Sequence, residues 1–419
     1  MEVHGSLRVP GDKSISHRAL IFGALGDGDS RVTHILESAD VHSTAGVLRA
    51  LGVDIPELSP DVVIRGVGLR GLRAPTRDLD CGNSGTTTRL MAGVVAASAV
   101  EATFVGDGSL SRRPMRRVAR PLTEMGATVT LPAHGGLPMI IRGGSVHGIN
   151  WTSEVASAQI KSAILLAALV GGVPAAVNEP VKTRDHTERM LAARGASVSV
   201  RPDGVSIDPV GRLHALDTDV PGDPSSAAFF AGLAAASDGG ELRLERVCVN
   251  ETRIGFLRRL SAMGASVREE NRREEGGDVV GDLIVSPNTW HATTIEARDV
   301  PAMIDELPLL ACLATRAVGE TTITGANELR VKESDRITAV VTNLRALGAD
   351  VEELEDGMLI RGSRRPLRGR VVTHADHRLA MAFGILGAVG ENAIDVDDRE
   401  CVAVSYPNFW ADLDRVRRA

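Results

Sequence analysis

One short phrase returns five times along the chain and limits what it can fold into. A leucine stands four residues before a glycine, and an apolar β-former follows three residues later. The copies are Leu48–Gly52–Ile55, Leu122–Gly126–Val129, Leu191–Gly195–Val198, Leu260–Gly264–Val267 and Leu344–Gly348–Val351. Their glycines lie 74, 69, 69 and 84 residues apart. Such a phrase reads as a helix end. The leucine faces a core, the glycine takes the left-handed position that other residues enter only with strain, and a strand follows. One helix–glycine–strand junction is common, whereas five at similar spacing predict an internally repeated α/β architecture.

Strand signals such as Val62–Ile64, Ala102–Val105 and Thr321–Thr324 flank the copies, with Gly and Pro turns between them. No G-x-G-x-x-G follows a first strand, which argues against a dinucleotide fold. The polar, glycine-containing stretch 272–282 reads as a surface loop. The longest apolar run, Ala163–Val177, is interrupted by Gly171, Gly172 and Pro174. It falls short of the roughly 18 residues a membrane span wants. No signal pattern precedes Pro10, and Cys81, Cys248, Cys312 and Cys401 show no metal or C-x-x-C spacing, so buried free thiols and a cytoplasmic location are expected. With a net charge of −7 and 3% aromatics, the chain is a poor match for a nucleic-acid coat. Its arginines cluster locally (Arg112, Arg113, Arg116, Arg117, Arg120), which suits a small anion.

Four segments place polar groups where an apolar-periodic helix begins. In the first, Gly11–Arg18, free backbone N–H groups, Lys13 and Arg18 can form an anion site, and a capped surface helix is the plainer alternative. The second, Cys81–Arg89, has small residues that admit a ligand to the backbone, with Ser84 or Thr86 as cap; it lacks the ending of a nucleotide P-loop. In the third, Ser157 and Gln159 offer neutral hydrogen bonds suited to hydroxyl groups, or simply a cap. The fourth, Asn327–Arg336, sets Lys332 and Glu333 at helical spacing from Arg336, as either a proton carrier among cations or a salt-bridged surface helix. Asp305 stands among apolar neighbours, where burial raises a carboxyl pKa toward the acid–base range. His374, Asp376 and His377 invite a metal reading, but the spacing is not that of a metal helix and no third cluster lies nearby, so neither metal nor cofactor is expected.

In this order, residues 10–14, 82–86, 157–159, 330–336 and 376–378 resemble the 5-enolpyruvylshikimate-3-phosphate synthase family over essentially the whole chain. The resemblance implies an α/β protein of two domains, each an inside-out α/β barrel of three βαβαββ repeats, with the ligand cleft between them. One domain would be discontinuous, residues 1–12 plus 223–419, with 13–222 inserted and hinges near 12 and 222. It implies transfer of the enolpyruvyl group of phosphoenolpyruvate to the 5-hydroxyl of shikimate 3-phosphate, with release of phosphate. Lys13, Ser14, Arg18, Ser157, Gln159, Arg184, Asp305 and Lys332 would hold shikimate 3-phosphate. Lys13, Gly85, Arg113, Gln159, Arg336 and Arg378 would hold phosphoenolpyruvate. Asp305 and Glu333 would carry protons, aided by Lys13. Gly85 is the form associated with glyphosate sensitivity, so inhibition competing with phosphoenolpyruvate is expected. Val404 and Ala158 stand where some members carry lysine and serine, which suits the other branch of the family.

Two rivals remain. A UDP-sugar enolpyruvyl transferase shares the architecture, but its loop cysteine has no counterpart in Ser109–Pro114. An RNA-binding or RNA-end-processing protein would use the arginine cluster, against the acidic charge and scarce aromatics. The expected partners are therefore small molecules, with no nucleic acid and no membrane, and the expected state is a monomer.

Overall fold

In the computed structural model, which describes residues 1–417, every leucine–glycine phrase closes a helix. The helices are Ala39–Ala50, Arg116–Glu124, His186–Ala193, Gly255–Ala262 and Arg336–Ala346. The five glycines have φ between 87° and 113°, and the five leucines are fully buried. The residue after each glycine donates its N–H to the leucine carbonyl at 2.9–3.1 Å, which satisfies an orphan acceptor at the helix end.

The strands gather into six sheets. In one, Leu79–Asp80 runs parallel to Glu101–Val105; Met139–Arg142 then pairs antiparallel with Glu101–Val105 and with Thr128–Thr130. A parallel pair needs a crossover, and here the crossover is the helix Gly85–Ala96. The same order recurs in the sheets built on Ala175–Asn178, Glu320–Ile323 and Gly239–Cys248. It is shortened to three strands around Asp29–Thr33 and to the two strands Arg368–Val371 and Ala393–Val396. The repeat is thus strand, helix, strand, helix, hairpin, as the phrase spacing predicts. Lead strands are exchanged in two sheets: Glu2–Leu7 pairs with Gly239–Cys248, and Thr218–Asp219 pairs with Asp29–Thr33.

The chain forms two compact units, one of residues 1–10, 221–273 and 279–419, the other of residues 11–220 and 274–278. In the second unit, the helices Lys13–Leu25, Gly85–Ala96 and Ala158–Gly171 are buried on nearly all sides. Beyond their polar first turns they are apolar all round, the composition of a central helix rather than a surface one. Gly93 lets two of them touch, since a Cβ there would lie 2.1 Å from the Ala163 carbonyl oxygen. In the first unit, Pro224–Ala235, Leu307–Ala314 and His377–Ala388 pack on one another in the same way. Each unit is inside-out in this sense: helices at the centre, a separate sheet against each, and no sheet closed on itself among the described residues. Phe229, Phe230, Tyr406 and Phe409 pack ring to ring in the first unit at centroid distances of 5.7–5.8 Å. No disulfide forms among the described residues, and Cys81, Cys248 and Cys312 are buried. No helix among the described residues is long and apolar enough to cross a membrane.

The stretch 272–282 is not a surface loop. It is the tip of a hairpin between Ser266–Glu275 and Asp278–Ser286. Gly276 and Gly277 make the turn at positive φ, and the tip is held in the second unit by a buried His186 Nδ1–Asp278 Oδ2 contact of 2.5 Å. Its polarity misled because a long two-stranded arm can keep charged side chains on its exposed face.

Candidate active site

Within each unit, the candidate residues lie at or shortly before helix N-termini, those of the central helices among them. An N-terminus leaves backbone N–H groups unpaired and carries the positive end of the helix dipole, so anions and carboxylates are favoured there.

In the second unit, Asp12 caps the Lys13–Leu25 helix by accepting from Ile15 N at 2.8 Å. Lys13 reaches Asp40 at 3.2 Å, and Ser14 sits in the first turn. Arg18 is buried and donates to Ser14 O, Thr187 Oγ1 and Ser162 Oγ at 3.0, 2.7 and 2.9 Å. His17 is buried beside it, bonded to Thr44 at 2.7 Å; burial first, with Lys13 and Arg18 assisting, pushes its pKa down to about 3. Thr44 passes the chain of bonds to Thr87 (2.7 Å), and Thr87 Oγ1 to Ser84 (2.8 Å), the residue that caps the Gly85–Ala96 helix. Of the two caps the sequence allows there, Ser84 is the one used. Gly85 lies against cations: a Cβ on it would sit 2.7 Å from Arg89 Nη1 and 3.4 Å from Arg113 Nη1. Arg113 is half-buried and donates to Asn83 at 2.5 Å.

Ser157 caps the third helix, as its position in the sequence predicts. The Gln159 amide is held at both ends, accepting from Arg89 at 2.7 Å and donating to Thr86 at 2.9 Å, and so ties two helix starts together. Arg184 is half-buried on the segment before the His186–Ala193 helix. Lys13, Arg18, Arg89 and Arg113 thus border helix starts equipped for an anion.

In the first unit, Asp305 lies in a 3-10 turn, Ile304–Glu306, that leads into the Leu307–Ala314 helix. It is half-buried. Lys332 Nζ and Arg336 Nη1 each stand 3.7 Å from its Oδ1. Arg336 is buried and makes three further bonds, Nη2 to Glu333 at 2.8 Å and Nε and Nη2 to the two Asp376 oxygens at 2.8 and 3.1 Å. Burial alone would lower the Arg336 guanidinium; Asp376, Glu333 and Asp305 outweigh it and raise it. For Asp376 burial acts upward and Arg336 prevails, holding the carboxyl below its usual range.

Lys332 and Glu333 are not on a helix with Arg336, contrary to the spacing argument. A 3-10 turn ends at Val331, Lys332 is extended (ψ −155°), and Asp335 caps a helix that begins at Arg336. The capping aspartate resets the helix start, and the extended lysine is what brings its amine toward Asp305. Asp376 accounts for the histidine-rich motif. Its oxygens accept from Arg336, Ser334 (2.9 Å) and the Arg378 backbone N–H (2.9 Å), the last as cap of the His377–Ala388 helix.

Sequence reasoning missed Glu306, Arg253, Asp40 and Arg89. Glu306 is buried at the start of the Leu307–Ala314 helix; burial and then the Asp305 charge raise its carboxyl. Arg378 Nη1 is 3.8 Å from it, and among the described residues the Arg378 guanidinium has no hydrogen-bond acceptor. Arg253 is buried and donates to Asp223 and Ser225, both at 3.0 Å, at the Pro224–Ala235 helix start. An acidic pair before a proline-started helix, in Asp305–Pro308, was the available signal for Glu306. Arg253 lies in a turn with no such mark.

A family model described as EPSP synthase (3-phosphoshikimate 1-carboxyvinyltransferase) matches residues 1–413. The chain is 49% identical to a 3-phosphoshikimate 1-carboxyvinyltransferase of Sulfurihydrogenibium sp. (strain YO3AOP1), covering 99% of this chain and 98% of that one. It is 47% identical to the same-named protein of Persephonella marina, covering 99% and 97%. A solved EPSP synthase from Acinetobacter baumannii superposes with a TM-score of 0.90 at 41% identity, covering 99% of this chain and 96% of that one.

Proposed function

The chain belongs to the EPSP synthase family and is an enolpyruvyl transferase, and we propose that Asp305 and Glu333 are its proton carriers as it moves the enolpyruvyl group of phosphoenolpyruvate onto the 5-hydroxyl of shikimate 3-phosphate. The observation that carries this assignment is the pair of carboxylates on one buried guanidinium, Asp305 at 3.7 Å and Glu333 at 2.8 Å from Arg336. Lys332 stands beside Asp305, so charge that builds on a bound anion finds fixed cations.

One carboxylate takes the proton of the 5-hydroxyl as its oxygen attacks C2 of phosphoenolpyruvate, and C3 gains a proton. The tetrahedral adduct then loses a C3 proton as the C2–O bond to phosphate breaks, which regenerates the double bond and frees inorganic phosphate. Two proton carriers suffice, and the chemistry requires no redox step. Arg336 and Arg378 bind phosphoenolpyruvate, with Gly85, Arg113, Lys13 and Gln159. Lys13, Ser14, Arg18, Ser157, Gln159, Arg184 and Lys332 bind shikimate 3-phosphate. Arg378 supports its own assignment, being nearly buried with its donors unclaimed. Glyphosate competes with phosphoenolpyruvate in this reading, and the enzyme works as a cytoplasmic monomer.

The test is phosphate release from phosphoenolpyruvate with shikimate 3-phosphate as acceptor and a UDP-sugar in parallel. Release with shikimate 3-phosphate alone is expected. Release only with the UDP-sugar would replace this reading with the sibling activity.

A further inference from the structure

Glu306 has no part in the proton steps above, yet it is buried directly beside Asp305. Its side chain is 3% exposed, and among the described residues Oε1 has no hydrogen-bond partner. The groups around it come from every element it meets. Asp305 precedes it on the 3-10 turn, Arg378 comes from the His377–Ala388 helix, Ser225 from the Pro224–Ala235 helix, and Arg253 from the turn before the Gly255–Ala262 helix, itself paired with Asp223. A buried carboxylate with one oxygen left unpartnered is costly, and it persists where its charge serves a neighbour.

That neighbour is Arg378. At 3.8 Å from Nη1, Glu306 is close enough to compensate the buried positive charge and too far to take up an N–H donor. Arg336 shows the contrasting arrangement. Its guanidinium is gripped by Asp376 through two bonds and by Glu333 through one. Arg336 has its Nε and Nη2 donors taken by acceptors and only Nη1 outside those bonds; Arg378 is neutralised at a distance, which leaves its whole guanidinium edge able to bind.

We propose that Glu306 is a positioning residue for Arg378, supplying the counter-charge that seats the guanidinium while leaving its donors open to the carboxylate or phosphate of phosphoenolpyruvate. This rests on the assignment of Arg378 to that substrate. A neutral group at 306 removes the counter-charge, so Arg378 turns toward solvent or toward Asp305 and meets the substrate poorly. Burial and Asp305 both act to raise the Glu306 carboxyl. Acidification therefore protonates it earlier than an ordinary carboxylate and weakens phosphoenolpyruvate binding in the intact enzyme.

The experiment is steady-state kinetics on the full-length wild type, Glu306→Gln and Glu306→Asp, varying each substrate in turn from mildly acid to mildly alkaline pH. Glu306→Gln is expected to raise KM for phosphoenolpyruvate about ten- to a hundredfold, the effect of losing one charged interaction, with kcat and KM for shikimate 3-phosphate within about twofold. Glu306→Asp, which keeps the charge, recovers most of the loss. The wild type shows an acid-side rise in KM for phosphoenolpyruvate beyond that from the substrate's own phosphate ionisation, and Glu306→Gln lacks this extra rise.

An active enzyme whose Glu306→Gln form keeps its KM for phosphoenolpyruvate at every pH would overturn the role. So would equal losses for both substrates, which mark general damage. If circular dichroism shows that Glu306→Gln does not fold, Glu306→Asp decides by the same split between substrates. A wild type that releases no phosphate from either substrate pair would overturn the transferase reading and this role together.

Discussion

Replacing Asp376 with asparagine removes one charge from the partner of a buried guanidinium while leaving shape and helix cap in place. Asp376 is fully buried, holds Arg336 through two bonds, and caps the His377–Ala388 helix through Oδ1. Stripping one partner from a buried ion pair costs about 3–5 kcal/mol. Arg336 keeps Glu333 at 2.8 Å and Asp305 at 3.7 Å, which places the expected cost near the lower end, about 3 kcal/mol. For a unit of about two hundred residues, that corresponds to a Tm lower by about 6–12 °C. Asparagine is as good a cap as aspartate, whereas alanine loses about 1 kcal/mol more, so Asp376→Ala should melt lower still.

The pH dependence follows from the depressed Asp376 carboxyl. The stability it contributes is fully present above the unfolded carboxylate value of about 4 and is lost as pH falls through the lower folded value. The gap between wild type and Asp376→Asn should therefore be constant at neutral pH and narrow in acid. Calorimetric melts of both proteins at several pH values give the answer. An Asp376→Asn protein that melts within about 1 °C of wild type at neutral pH would refute the claim that this pair holds Arg336.

Asp305→Asn should bind both substrates nearly normally and lower turnover at least about a hundredfold, because an amide cannot accept the hydroxyl proton; rapid-quench turnover within a few-fold of wild type would contradict it. His17 has its pKa lowered from 6.5 to about 3, so the unfolded chain binds the extra proton first and stability falls as pH drops through that window. His17→Gln should flatten this part of the acid-stability curve, and an unchanged slope in urea melts would contradict the assignment. Gly264 and Gly348 share a left-handed backbone, but a Cβ at Gly264 would lie 2.2 Å from the Thr289 carbonyl oxygen while Gly348 has open space. Gly348→Ala should cost about 1–2 kcal/mol from backbone strain alone, and Gly264→Ala distinctly more. Equal losses in urea titration would show that the steric difference has no effect.

The repeat, its helix ends and most of its helix starts were legible because their causes are local. A glycine closes a helix through bonds to residues three and five positions back, and Ser84 and Ser157 cap theirs within three residues. The fourth motif failed for a local reason, since the cap at Asp335 outweighed the apparent helical spacing of Lys332 and Glu333.

What only the tertiary structure decided is which charges meet. Arg336 and Asp376 are forty residues apart, and Gln159 reaches Arg89 across seventy. Glu306 and Arg378 are more distant still in sequence. These pairs form because helix starts converge within each unit, and their partners are chosen by the packing of apolar faces. A sequence states each face and each cap. Which acid then lies 3.8 Å from which arginine, and whether it takes up that arginine's donors or leaves them open, depends on how the packed helices place their first turns.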